Sequence, residues 1–132
     1  MIDVSCALIK GHNGEILATQ RSSVMRLPLK WEFPGGKNEP GETAEECVVR
    51  ELLEELGVMV KIIKRMDPVI HDDGQLVIRL IPFECVILEG EICLTEHAAC
   101  LWLQPDELSA LDWADADLPV VQNYLEGLEK RF

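Results

Sequence analysis

Residues 36–58 read GKNEPGETAEECVVRELLEELGV, a stretch that can form little other than a glycine-containing loop running into one sharply framed helix. Thr43 followed three residues later by Glu46 is a capping box, in which each side chain satisfies the other residue's backbone N–H. Gly57 stands where a helix end needs a residue that tolerates a left-handed backbone. Together they predict a helix from Ala44 to Leu56, about three and a half turns long. At about 100° per residue, Val48, Val49, Leu52, Leu53 and Leu56 fall on one side. Arg50, Glu51, Glu54 and Glu55 gather on the other, so one face packs and the other concentrates negative charge.

That concentration has an energetic consequence. Like charges three and four residues apart destabilise a helix by roughly a few tenths of a kcal/mol per pair, and Arg50 is the one cation on this face. A hard divalent ion, Mg²⁺ or Mn²⁺, removes the repulsion, because it takes oxygen ligands and is held by carboxylates together with substrate phosphates. Taken alone, an acidic helix face reads as a solvated surface, since such surfaces are common. Gly36 and Glu42 upstream and Gly57 at the end turn the reading toward a metal site.

The rest of the chain supplies the scaffold. With 132 residues, 48% of them hydrophobic, it fits a single domain over residues 1–132 with a sizeable core. The apolar run from Leu80 to Leu88 is interrupted by Pro82 and Glu84 and preceded by Arg79, so no membrane span is expected. The opening residues lack the basic segment of a signal peptide. Five cysteines, Cys6, Cys47, Cys85, Cys93 and Cys100, are odd in number and contain no Cys-x-x-Cys pair. They read as reduced thiols in a cytoplasmic protein. A formal charge of −12 with no basic stripe argues against a nucleic-acid polymer as partner and leaves free nucleotides open through a bridging metal.

Ile2–Ile9 reads as a buried strand, and His12 to Glu15 as a hairpin turn into a second strand, Ile16–Gln20. A loop, 21–30, then leads through Trp31, Glu32, Phe33 and Pro34 to the glycines. After the helix, Val58–Ile63 is a strand, residues 71–74 a turn, and Leu76–Leu88 a β-rich run bent near Pro82, since proline does not serve a central ladder. Leu101–Leu103 is a short strand, Pro105 opens a short helix, and Leu118–Leu128 is a closing helix. Strands and helices mix without a regular βαβ rhythm, which predicts an α/β fold: a mixed sheet with helices on both faces.

The 36–58 stretch resembles the signature of the Nudix hydrolases: glycine, any five, glutamate, any seven, Arg-Glu, aliphatic, any, Glu-Glu, any, glycine, aliphatic. Gly36, Glu42, Arg50, Glu51, Leu52, Glu54, Glu55, Gly57 and Val58 fill every fixed position. Thr19, Gln20, Arg21 and the stretch from Trp31 to Lys37 resemble the surroundings of this box in the MutT-type nucleoside triphosphate pyrophosphohydrolases. The resemblance implies an α/β/α sandwich and an essential divalent ion, Mg²⁺ with Mn²⁺ as substitute. It implies as ligands Glu54, Glu55 and the Gly36 carbonyl, with Glu51 a ligand or the general base and Arg50 orienting it. Glu96 resembles a later glutamate that serves as an additional ligand or base. Arg21, and less clearly Lys37, are the expected phosphate-binding groups.

For the base, the resemblance points to Asp117, in Ala116-Asp117-Leu118-Pro119, where many MutT-type members carry asparagine. Asp117 is also a natural N-cap for the closing helix. An ionised Asp117 accepts hydrogen bonds only, which suits guanine N1–H and its 2-amino group; the Ala-Asp-Xaa-Pro pattern instead resembles members acting on CTP and modified dCTP. Ile2, Val4, Phe33 and Leu76 are candidate pocket walls, and Trp31, Trp102 and Trp113 candidate stacking partners. The expected function is hydrolysis of a nucleoside triphosphate to monophosphate and pyrophosphate, sanitising 8-oxo-dGTP-type nucleotides. CTP-type substrates, ADP-ribose or another nucleoside diphosphate derivative, and a non-catalytic nucleotide-binding module are the alternatives, with base, sugar and oligomeric state left open.

Overall fold

The computed structural model describes residues 1–130. Strands β1 (Ile2–Ile9), β2 (Ile16–Gln20), β3 (Trp31–Glu32) and β4 (Gly35–Lys37) precede helix α1 (Ala44–Leu56). Strands β5 (Met59–Arg65), β6 (Val69–Asp72), β7 (Val77–Glu89) and β8 (Ala99–Leu103) follow, then a 3₁₀ helix (Pro105–Ala110) and helix α2 (Leu118–Glu129). One sheet runs β4-β1-β7-β5, with β6 also on β7; β1 and β7 are parallel and the other pairs antiparallel. A smaller antiparallel sheet runs β3-β2-β8. No helix among the described residues is long and apolar enough to cross a membrane.

Successive side chains of a strand point to opposite faces, and β1 uses this to separate two cores. Cys6 and Leu8 join Ile16, Ala18, Leu80, Leu108, Val120, Val121 and Tyr124 on the α2 side. Ala7 and Ile9 join Leu17, Val48, Leu52, Leu56, Ile81 and Phe83 on the α1 side. Each fully buried Val or Leu contributes roughly 1.5–3 kcal/mol. Helices therefore cover both faces of the strands, the mixed α/β architecture the sequence predicts.

Helix α1 begins and ends where its signals place it. Thr43 Oγ1 accepts from Glu46 N at 3.1 Å and Thr43 N donates to Glu46 Oε1 at 2.9 Å. Gly57 closes it at φ 71°, donating to Leu53 O at 3.0 Å. The packed face is rotated slightly from expectation: Cys47 is buried and Leu53 is 49% exposed.

The β regions depart more. Strand β6 occupies residues assigned from sequence partly to a turn; the turn moves to Asp73, whose Oδ1 accepts from the backbone N–H of Gln75 and Leu76 at 2.9 and 2.8 Å. Strand β7 continues through Pro82 in the centre of its sheet. Pro82 O accepts from Met66 N at 2.9 Å, so the side of Pro82 that lacks an N–H faces the 66–68 connection between β5 and β6, where no ladder bond is forgone.

Strand β4 lies against β1 so closely that a Cβ on Gly35 would sit 2.0 Å from Ser5 O and 2.6 Å from Cys6 Cα. Strand β1 is fixed between β4 and β7 and cannot retreat. Gly35→Ala is expected to destabilise the fold by about 3 kcal/mol in urea unfolding, the upper range for overpacking; a loss below about 0.5 kcal/mol contradicts this docking.

Candidate active site

Elements of both sheets and the start of β4 converge on a cleft of about 530 Å³. This is the size of an ordinary small-molecule site. At one end are Gly35, Gly36 and Lys37 of β4, Glu55 of α1 and Glu96. At the other are Phe33 and Asp117, and Val4, which pairs with Lys37 across β1 and β4, is in the wall together with Leu76, Ile78, Arg21 and Glu32. Thus Arg21, Phe33, Gly36, Lys37, Glu55, Leu76, Glu96, Asp117 and Val4, scattered in the sequence, share one cavity. Glu51, Glu54, Arg50 and Ile2 do not line it.

The acidic face is organised by Arg50. Its Nε and Nη2 grip Glu42 at 2.6 and 3.0 Å, and its Nη1 reaches Glu51 Oε1 at 2.9 Å and Glu54 Oε2 at 3.1 Å. The fork geometry of a guanidinium allows this many simultaneous partners. The hydrogen bonds from Arg50, then the Glu39 backbone N–H, hold the Glu42 carboxyl down at about 2. Arg50 therefore touches Glu51, as expected, and its two-bond partner is Glu42, whose role in the motif sequence reasoning left unassigned.

Glu51 reaches back over β4. A Cβ on Gly36 would fall 2.4–2.6 Å from the Glu51 carboxyl atoms, so only glycine admits that carboxylate against the loop. Glu55 Oε2 accepts from Gly35 N at 3.2 Å. Burial first, then the charges of Glu51, Glu32 and Glu96, push the Glu55 carboxyl up to about 8 despite that bond. Among the described residues no three His, Cys, Asp or Glu side chains are arranged to hold a metal ion together; Glu51 and Glu54 are turned onto Arg50. The donor set nevertheless fits a hard divalent cation, since it offers carboxylate oxygens beside a glycine loop, and the acidic neighbours that raise Glu55 are charges such an ion would offset.

At the far end Asp117 is buried and its Oδ2 accepts from Phe33 N at 2.8 Å. Burial, reinforced by the charge of Glu32, raises its carboxyl to about 8, against the lowering effects of the Phe33 bond and Arg21. Two expectations are corrected here. Asp117 does precede α2, but its φ is −85° and ψ −25° and its side chain makes no capping bond, because the carboxyl is committed to Phe33. It is also predominantly neutral near pH 7, so it both donates and accepts, where the sequence reading treated it as an ionised acceptor.

The tryptophans do not line the cleft. Trp113 packs on Phe33 with ring centroids 4.7 Å apart and donates from Nε1 to Leu108 O at 2.6 Å. Trp31 packs against the α2-side core, and Trp102 lies on β8 at 37% exposure.

Two residues that sequence reasoning missed stand between the ends. Glu32 binds Arg21 Nη1 through Oε1 at 2.6 Å and His97 Nε2 through Oε2 at 2.9 Å. Its place beside Phe33 and that of His97 beside Glu96 were the available signals. Arg21 also donates from Nε to Arg26 O.

The model of the NUDIX domain family matches residues 1–124. The chain belongs to that family. The chain is 32% identical over 125 residues to the CTP pyrophosphohydrolase of Escherichia coli strain K12, covering 95% of this chain and 92% of that one. It is 32% identical over 120 residues to the 8-oxo-dGTP diphosphatase of the same strain, covering 91% and 93%. Among solved structures, the solution structure of the E. coli ORF135 protein superposes with a TM-score of 0.86 at 31% identity, covering 99% of this chain and 93% of that one.

If the carboxylates of this Nudix helix bind a cation, the native state gains stability from it. Mg²⁺ at about ten times its Kd should add about 1.4 kcal/mol, read as a rise in Tm. Glu55→Gln should abolish most of that rise, and an equal rise in wild type and variant contradicts the metal assignment.

Proposed function

We propose that this Nudix hydrolase is a Mg²⁺-dependent pyrophosphohydrolase of nucleoside triphosphates, with 8-oxo-dGTP-type nucleotides as substrates and cytosine nucleotides as the second reading. The observation that carries the proposal is a single nucleotide-sized cleft with an acidic, glycine-bordered end and a buried carboxyl at the other. The triphosphate would lie toward the acidic end and the base toward Asp117. The five cysteines are free, which fits a cytoplasmic setting.

Glu51, Glu54, Glu55 and the Gly36 carbonyl would hold the ion, with Glu96 beside them in the cleft. Bound Mg²⁺ or Mn²⁺ would acidify water and neutralise charge developing on the phosphates. Arg21, positioned by Glu32, presents a planar donor fork to a phosphate, and Lys37 at the cleft edge adds a second positive charge. Glu96 lines the cleft and has no side-chain partner among the described residues, whereas Glu51 is tied to Arg50. That contrast supports Glu96 as the general base. It takes the proton of the attacking water, the new O–P bond forms, and the bond joining the α and β phosphates breaks. The products are a nucleoside monophosphate and pyrophosphate, the leaving oxygen taking up charge that the cationic groups offset.

The base preference follows from a neutral Asp117. A carboxylic acid sets an O–H donor beside a C=O acceptor. Cytosine presents the complement in its 4-amino group and N3. The Hoogsteen edge of 8-oxoguanine does so in N7–H and O6, while unmodified guanine offers two acceptors there. One neutral acid thus suits both base types named for the E. coli relatives. Phe33, Val4 and Leu76 supply the apolar walls.

Asp117 is neutral below a pKa of about 8 and ionised above it, so discrimination should weaken as pH rises. The ratio of kcat/KM for 8-oxo-dGTP to that for dGTP should fall between pH 7 and 9. A ratio cancels pH effects on the metal end. Asp117→Asn keeps a donor beside an acceptor and should hold the ratio level. No turnover of any triphosphate, with hydrolysis of ADP-ribose instead, would overturn the proposal.

A further inference from the structure

The segment carrying Glu96 connects the end of β7 to the start of β8 and has no regular structure of its own over residues 90–98. It is nevertheless tied down on both sides of that glutamate. On the N-terminal side it caps helix α1: Cys93 N donates to Leu56 O at 2.9 Å, and Thr95 donates to Glu55 O from its backbone N at 3.3 Å and from Oγ1 at 3.2 Å. These carbonyls lie at the helix end, where no partner within the helix is available. On the C-terminal side, Ala98 N donates to Gln20 O at 2.9 Å.

Between those anchors the His97 ring turns inward and is only 8% exposed. Its Nε2 lies 2.9 Å from Glu32 Oε2; a carboxylate accepts only, so Nε2 carries the proton. Nδ1 is buried with no partner, so the bond to Glu32 is the one polar contact directing the ring among the described residues. Glu32 is itself fixed from two directions, by Arg21 on Oε1 and by its pairing with Thr19 across β2 and β3. One residue from the end of each strand of the smaller sheet therefore meets at a point: Arg21 after β2, Glu32 on β3 and His97 before β8.

We propose that His97 is a positioning residue, whose bond to Glu32, acting with the Thr95 cap on helix α1, fixes the Glu96 carboxylate against the metal-binding end of the cleft. The inference rests on the reading of Glu96 as base or ligand given above. Thr95 ties the residue before Glu96 to the helix that carries Glu55; His97 ties the residue after it to the carboxylate that holds Arg21. The two flanking anchors join the acidic end of the cleft to its middle. A shift of the loop moves Glu96 relative to Glu55 while leaving Arg21 its own contacts with Glu32 and the Arg26 carbonyl. Loss of His97 should consequently appear in kcat and not in KM.

Two amides separate reach from polarity. His97→Gln carries its amide nitrogen near the position of Nε2 and can keep the bond to Glu32; His97→Asn ends near Nδ1 and cannot. We expect about a 30-fold lower kcat for His97→Asn with nucleotide KM within about twofold, as for other residues that orient a metal site from outside it, and near wild-type kcat for His97→Gln. In a Glu96→Gln background, His97→Asn should cost nothing further, because both act through one carboxylate. If His97→Asn does not fold, Thr95→Val, which loosens the other anchor, carries the same expectation of lowered kcat at unchanged KM. Equal kcat for the Asn and Gln variants, or a full additional loss in the Glu96→Gln background, overturns the positioning role. A fully active Glu96→Gln single variant overturns the reading of Glu96 itself, and the proposal with it; the intact His97 in that variant keeps the two failures apart.

Discussion

The guanidinium of Arg50 is the interaction on which this architecture depends. Helix α1 brings Glu51, Glu54 and Glu55 to one face, and the preceding loop adds Glu39 and Glu42, a charge density that would fray a short helix in isolation. Arg50 binds Glu42 through two nitrogens and reaches Glu51 and Glu54 through a third. It stitches the loop of residues 38–43 to the helix, and donates to Lys37 O as well at 3.3 Å. The glycine loop is thereby held where Gly35 N meets Glu55 and Gly36 makes room for Glu51. The same set of charges that Arg50 holds in place would be available to a cation.

A second constraint acts at the opposite end of the cleft. Strand β1 divides the interior between two helices by simple alternation, and its Val4 and Cys6 line the cleft. Asp117 can be buried there because Phe33 N satisfies one oxygen, while burial and the nearby Glu32 keep the acid protonated. The two acidic ends of the cleft thus differ in kind. One gathers carboxylates that a metal would charge-balance; the other holds a single neutral acid that can donate as well as accept. Glu32 lies between them and communicates with both through its field, raising Glu55 and Asp117 alike.

How much of this was legible in the sequence depends on the range of the signals. Helix α1 was read with its exact caps, because Thr43, Glu46 and Gly57 act within a few residues of where they stand. The motif residues, Arg21 and Asp117 stand out through fixed spacing and resemblance, and Arg21 and Asp117 line the cleft. What escaped is decided by partners distant in sequence. Strand β6 exists because β7 offers it a free edge; Pro82 is tolerated because the 66–68 connection happens to pass its blind side. The protonation of Asp117 follows from burial, to which no neighbouring residue points. Glu32 and His97 are 65 positions apart, so their bond could not be inferred from either one.

The role proposed for the acidic helix and its glycine loop is metal-dependent cleavage between the α and β phosphates. Phosphorus NMR of a reaction with 8-oxo-dGTP, run with Mg²⁺ and again with excess chelator, tests it most directly. Monophosphate and pyrophosphate in equal amounts are expected with the metal, and no reaction without it. Release of orthophosphate as the first product, or undiminished turnover in chelator, would contradict it.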